Sequence, residues 1–178
     1  PSDFSEASEI AFVHALKIAL VTHARLSMLH VTAGSNVGWQ DFPGVRATLE
    51  RWKLIPKGSS RSRVGQLGVE IRKVITSSKH PVKACLHYLA KHPADLIVLA
   101  VRHHEGRTRW LEKSVGKPIA RGAGQITLFL PYGVEGFVSR EDGSVALRNI
   151  LIPVARKPRP EPAMEAAGRA IELRLRAE

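Results

Sequence analysis

Six basic side chains, Arg102, Arg107, Arg109, Lys113, Lys117 and Arg121, fall in one stretch of 20 residues that holds only two acids, Glu105 and Glu112. Guanidinium groups present paired N–H donors that match a phosphate, so this stretch has the chemistry to hold an anion through side chains. The plainer reading is a solvated basic face. His103, His104 and Glu105 stand side by side in the same stretch. Adjacent loop side chains rarely converge on one ion without further ligands, and the other histidines are scattered, so no metal ligands are assigned. No Ser-His-Asp or Cys-His arrangement can be assembled either, so no catalytic residue is assigned and the chain is not expected to be an enzyme.

Composition extends the basic theme. The 178 residues carry a formal charge of +11, with 44% hydrophobic and 24% charged residues, a globular mixture that attracts anions. No apolar run approaches the roughly 20 residues that span a bilayer, so no membrane partner is expected. The single cysteine, Cys85, precludes an internal disulfide and fits a reducing compartment, for which a cytoplasmic location is expected. Trp39, Trp52 and Trp110 are far apart and do not form the repeated aromatic-basic pattern of a single-strand nucleic-acid platform, so nucleic acid is not an expected partner.

The elements that must position these residues are legible in patches. Ser5 is suited to cap a helix, with Glu6 and Glu9 near its positive end. Phe12, Ala15, Leu16, Ala19 and Leu20 then recur at the spacing of one buried helical stripe. Arg25–Val31 is short and apolar enough for a strand, and the charged Val69–Ile75 suits an edge strand. "GVRATLERWKLI" is compatible with a helix, and the basic "PKGSSRSRVG" after it with a loop. Pro81 opens a second helix, whose stripe Val82, Cys85, Leu86, Leu89, Ala90 makes Cys85 a packing residue. The unbroken run Leu96–Val101 suits a parallel strand covered on both faces. A helix around Leu111–Arg121, with Pro118 awkwardly inside it, and a strand Gln125–Leu130 complete the alternation expected of a parallel α/β sheet.

The first helix has no strand before it, and "LRNILIPVARKPRPEPAMEAAGRAIEL" late in the chain looks like the same strand–helix unit. Aligning Pro1 with Pro153 pairs Glu9 with Glu161, Ala11 with Ala163 and Ala15 with Ala167, an internal repeat of modest identity. Residues 132–146, rich in Pro, Gly and mixed charge, are expected to be a linker between residues 1–131 and the unit at 147–178.

The segments "PSDFSEASEIAFVHALKIA", "RLSMLHV", "HPADLIVLAVRHHEGRTRWLEKSV" and "QITLFLP", in this order and spacing, resemble the universal stress protein family. The resemblance covers residues 1–131, and residues 147–178 look like the opening of a second copy. It implies the adenine nucleotide alpha hydrolase-like fold: an open parallel five-stranded sheet, order 3-2-1-4-5, with helices on both faces. In that order the strand before Asp3 is central, and an empty centre would expose two strand edges inside the core. The slot is expected to be filled by residues preceding Pro1, as in a truncated tandem protein, or by Ile150–Val154 of this chain or of a partner.

The resemblance also implies a ligand, ATP or AMP, held beyond the carboxyl ends of the strands where connections reverse direction. By position it implies Asp3, Val31, Leu99, Ala100, Arg102, His103, Lys113, Ser114 and Val115 as the nucleotide-binding residues. Relatives that bind nucleotide carry G-x2-G-x9-G-[ST] in the loop after the fourth strand, bare backbone that approaches phosphate. Here Ser114 matches, while Ala100, His103 and Lys113 replace the glycines. The bulk of His103 and Lys113 argues against phosphate binding by backbone amides, and the surrounding cations argue for side chains in their place. Asp3 has a second reading as a helix cap.

The expected function is therefore a non-catalytic stress-response or signalling module. It would dimerise, as a homodimer or tandem pseudo-dimer, through the strand at 125–130, and would bind an adenine nucleotide or other phosphate anion. A non-nucleotide interaction scaffold, or a weak nucleic-acid or polyanion binder driven by the net charge, is the alternative.

Overall fold

A computed structural model describes residues 1–34, 36–101, 115–152 and 160–177. Helices alternate with parallel strands through most of it. In chain order they are α1 (Glu6–Thr22), β1 (Arg25–Thr32), α2 (Val45–Arg51), the single turn α3 (Arg61–Gly65), β2 (Glu70–Ser77), α4 (Pro81–Lys91), β3 (Ile97–Val101), α5 (Gly116–Ala123), β4 (Thr127–Pro131) and α6 (Glu161–Ala177). β1 pairs with β2 in parallel, from Arg25 beside Glu70 to Thr32 beside Ser77. β3 pairs with β4 in parallel, from Ile97 beside Thr127 to Val101 beside Pro131. The architecture is α/β, with the strands in two parallel pairs and no single five-stranded sheet among the described residues.

The start of the chain lies beside β1. Ser2 forms an isolated parallel bridge with His30, and its N–H donates to the Leu29 carbonyl at 2.8 Å. Among the described residues this is the only pairing on the edge of β1 opposite β2. Ile150–Ile152, expected to be part of a strand, forms none, and Leu151 is 92% exposed. Pro153 and Val154 lie outside the described residues.

Side chains alternate across the strands, and each face has its own apolar cluster. Met28 of β1 joins Phe12, Val13 and Leu16 of α1, together with Phe42, Val45, Leu49, Trp52 and Ile55. Leu29 points the other way, into a cluster with Cys85 of α4 and Ile119 of α5. A third cluster joins Ile10 and Ala11 of α1 to Leu130 of β4. Helix α1 and the Phe42–Ile55 segment thus cover one face, and α4 and α5 the other.

One expectation is corrected here. Pro118 does not sit deep in a helix: α5 starts at Gly116, so Pro118 lies in the first turn, where a missing N–H costs nothing. The stretch 132–146, expected to be a linker, has structure of its own. Val138 and Val145 bridge as a short antiparallel hairpin, and Val138 is fully buried in the cluster of α1 and Trp52. Its residues Phe137, Val138 and Val145 outweigh the turn formers around them because they pack on the cluster that joins α1, Met28 of β1 and Trp52.

Candidate functional site

The chain turns from the bridge at Ser2 into α1 at the carboxyl end of β1. The imidazole of His30 fixes the approach by donating from Nδ1 to the Ser2 carbonyl at 2.9 Å. Phe4 follows with a left-handed backbone, φ 60°, uncommon for a large side chain. Its ring stacks on His30 with centroids 4.0 Å apart and meets the edge of Phe42 at 5.1 Å. These contacts offset the unfavourable backbone and aim the next residues at the helix start.

Asp3 is the acid at that turn. Its Oδ1 accepts from the Ser5 N–H at 3.0 Å, from Ser8 Oγ at 2.7 Å and from the Ser5 hydroxyl, while its own N–H donates to Ser8 Oγ at 3.1 Å. Ser5 occupies the cap position of α1 but makes no capping bond with its side chain. Asp3 performs that work from two residues upstream, so its helix-capping reading is visible in the hydrogen bonds.

Of the other residues expected at the site, Val31 packs half-buried against Leu29, Cys85 and Ile119. Leu99 and Ala100 point to opposite faces of β3. Ala100 rests on the cluster of Ile10 and Ala11, and Leu99 is buried toward Gly116. Val115 is exposed just before α5. Arg102, His103, Lys113 and Ser114, with His104, Glu105, Arg107, Arg109 and Glu112, lie outside the described residues. Asp3 thus stands at the start of α1 and Val31 near the carboxyl end of β1.

Cys85 is buried, and burial pushes its thiol above the ordinary range, which makes it a packing residue and a poor nucleophile. Among the described residues, no three His, Cys, Asp or Glu side chains are grouped to hold a metal ion. Nor is any described helix long and apolar enough to cross a membrane. A shallow cleft of about 370 Å³ opens beside α1, lined by Glu6, Ile10, Tyr132 and Arg140 among others. Its polar groups already engage each other: the Tyr132 hydroxyl donates to Glu6 at 2.9 Å, and Arg140 lies 3.8 Å from the same carboxylate.

Sequence reasoning missed the buried His14, whose Nδ1 donates to the Ile10 carbonyl at 2.8 Å and whose Nε2 accepts the N–H groups of Phe137 and Val138 at 3.0 and 3.1 Å. It also missed the Phe4–His30 stack. His14 lies off the apolar stripe read for α1, so periodicity did not signal the first; a separation of 26 positions hid the second.

The family model described as the universal stress protein family matches residues 1–126. No curated protein and no solved structure gives a significant match.

Proposed function

Because this chain belongs to the universal stress protein family, we propose that it is a non-catalytic stress-response module that binds an adenine nucleotide, or another phosphate anion, and dimerises. The observation that carries this reading is the hydrogen bonding of Ser2 to Leu29 and His30. Those bonds hold Asp3 beside the carboxyl end of β1. With Pro1–Ser2 taken as the tail of a central strand between the pairs β2–β1 and β3–β4, the order is 3-2-1-4-5. The connections then reverse direction at the crevice next to Asp3, where open α/β sheets bind their ligands. The phosphates would meet the cationic stretch Arg102–Arg121, whose side chains replace the bare glycine backbone of nucleotide-binding relatives.

The dimer would form through β4. One of its edges pairs with β3, and among the described residues the other has no strand partner. A second copy covers such an edge and removes an aggregation hazard.

Titration of the full chain with fluorescent ATP and GTP at low and high salt, with the mass in solution measured in parallel, tests both parts. Saturable binding that prefers adenine and survives salt supports the nucleotide reading. Binding that shows no base preference and disappears with salt overturns it. A monomer at every concentration removes the dimer.

A further inference from the structure

Trp39 is the most exposed aromatic ring whose surroundings are fully described, at 57%, and it is not isolated. Its ring stacks on Phe42, centroids 6.2 Å apart and planes inclined by 21°. Phe42 is buried in the cluster under β1 and β2, so the indole is held on a rigid base. Lys73, on the same face of the edge strand β2, places its ammonium 5.5 Å from the Phe42 centroid. It also donates to the Trp39 carbonyl at 2.9 Å.

Basic groups outnumber the one acid of this turn, Asp41. Burial lowers the Lys73 pKa, and the field of the Arg61 guanidinium lowers it further. Among the described residues, neither Lys73 nor Arg61 forms an ion pair, whereas Arg25 and Arg46 each have a glutamate. The nearest acid in sequence, Asp41, spends one carboxylate oxygen on the Gly38 N–H at 2.7 Å.

An exposed indole on a fixed aromatic base, beside cations that form no ion pair among the described residues, is the pairing that binds unstacked bases and the phosphates joining them. We infer that the surface formed by Trp39, Lys73 and Arg61 is a docking platform for single-stranded nucleic acid, distinct from the crevice beside Asp3. A base stacks on the free face of Trp39, and the flanking phosphates lie against Lys73 and Arg61. Bases inside a duplex are already stacked and cannot reach the ring, so the platform selects single strands. Trp39 and Lys73 lie 34 positions apart, and the packing of β2 against the Trp39–Phe42 turn brings them together.

The test is fluorescence anisotropy of a labelled oligothymidylate of about 12 nucleotides with the full chain, over a range of salt. Heparin serves as a polyanion without bases, and an excess of ATP occupies the proposed nucleotide crevice. Trp39→Ala is expected to weaken binding about tenfold, the typical effect of removing one stacking ring. Arg61→Gln lowers the slope of log affinity against log salt by about 0.7, and Lys73→Gln by a similar amount. Because Lys73 also holds the Trp39 carbonyl, the exposed Arg61 gives the cleaner result. Oligothymidylate binding that persists in excess ATP, and depends on Trp39, supports the platform whether or not ATP binds. Absence of binding overturns it, as does binding to which Trp39→Ala is indifferent or which heparin matches in both variants.

Discussion

His14 Nε2 accepts the backbone N–H of Val138 at 3.1 Å, joining the interior of α1 to a hairpin 124 residues later. The same nitrogen accepts the Phe137 N–H, and Nδ1 donates to the Ile10 carbonyl, so the imidazole must be neutral to make all three bonds. Burial lowers its pKa from the ordinary 6.5, partly opposed by the Ile10 carbonyl and helped by Arg140 on the hairpin.

A histidine depressed in the folded state stabilises the fold fully above its unfolded value. That contribution is lost as pH falls from 6.5 through the folded value, because the unfolded chain takes up the proton first. Stability against urea is therefore expected to fall on going from pH 7.5 to 5.5, by up to about 1.4 kcal/mol for each pH unit between the two values. His14→Phe should lower stability at pH 7.5 by about 2–4 kcal/mol, since two buried N–H groups lose their acceptor, and should flatten this pH dependence. An unchanged pH profile in the variant would place the titrating group elsewhere. Asp142 titrates in a separate window. Hydrogen bonds from the Ser144 backbone and the Ser139 hydroxyl hold its carboxyl at about 2, so its contribution is present above the ordinary 3.8 and is lost only as pH falls toward about 2.

Asp3 offers a way to separate two roles. Its bonds to Ser5 and Ser8 predict that Asp3→Ala costs about 1 kcal/mol of stability, as for a lost helix cap. Asp3→Asn keeps an acceptor oxygen and should recover most of that. If the carboxylate also contacts a nucleotide, Asp3→Asn will weaken ATP binding while leaving the melting temperature close to that of the parent. Equal ATP affinity in parent and Asp3→Asn would leave the cap as the whole role of the side chain.

What could be read from the sequence follows the range of the interactions concerned. The strands Ile97–Val101 and Glu70–Ser77, and the helix opened by Pro81, came from local signals: an unbroken apolar run, charged edge positions and a proline at the first helical residue. The stripe of α1 was only half the truth, because Ala7, Ile10, Ala11, Val13 and His14 are buried as well. Their covering is β3, β4 and the hairpin, which no periodicity within α1 reports. The hairpin itself resembled a linker because its glycines and charges are conspicuous and its three apolar residues are not. At the candidate site, the capping bonds of Asp3 are local, since Ser5 and Ser8 lie two and five residues on, whereas the Phe4–His30 stack depends on tertiary contact. The strand expected at Ile150–Val154 rested on the internal repeat and the family resemblance, and its described part, Ile150–Ile152, pairs with no strand among the described residues.

Cys85 should behave as a core residue in any thiol assay. It is 3% exposed, and burial raises its pKa, which lowers the thiolate fraction on top of limiting access. Its reaction with a disulfide reagent at pH 8 is expected to be at least about 100-fold slower in native buffer than in denaturant, since attack must await opening of the fold. Cys85→Ser, which places a hydroxyl against Leu29 and Ile119, should cost about 1–3 kcal/mol. Rapid labelling of the folded chain would contradict the packing of α4 against β1.

The hairpin's hold on the core can be isolated with two glycines of similar backbone. Gly143 and Gly124 have φ values of 72° and 63°, so alanine meets the same left-handed penalty of about 1–2 kcal/mol at either position. Their surroundings differ. A Cβ on Gly143 would lie 2.6 Å from Cδ2 of Trp52, whereas one on Gly124 would meet nothing within 4 Å. Trp52 cannot easily withdraw: it is 5% exposed in the cluster with Leu49 and Val138, and its Nε1 donates to the Arg140 carbonyl at 3.1 Å. Gly143→Ala must therefore displace the hairpin from the indole or strain the cluster, adding about 1–3 kcal/mol of overpacking to the shared backbone term. Urea midpoints for Gly124→Ala and Gly143→Ala measure the difference directly, and Trp52 emission should shift to the red only in the second. Equal midpoints would mean that the Ser139–Ser144 turn lifts from Trp52 at little cost, and the hairpin would then cover the core without bracing it.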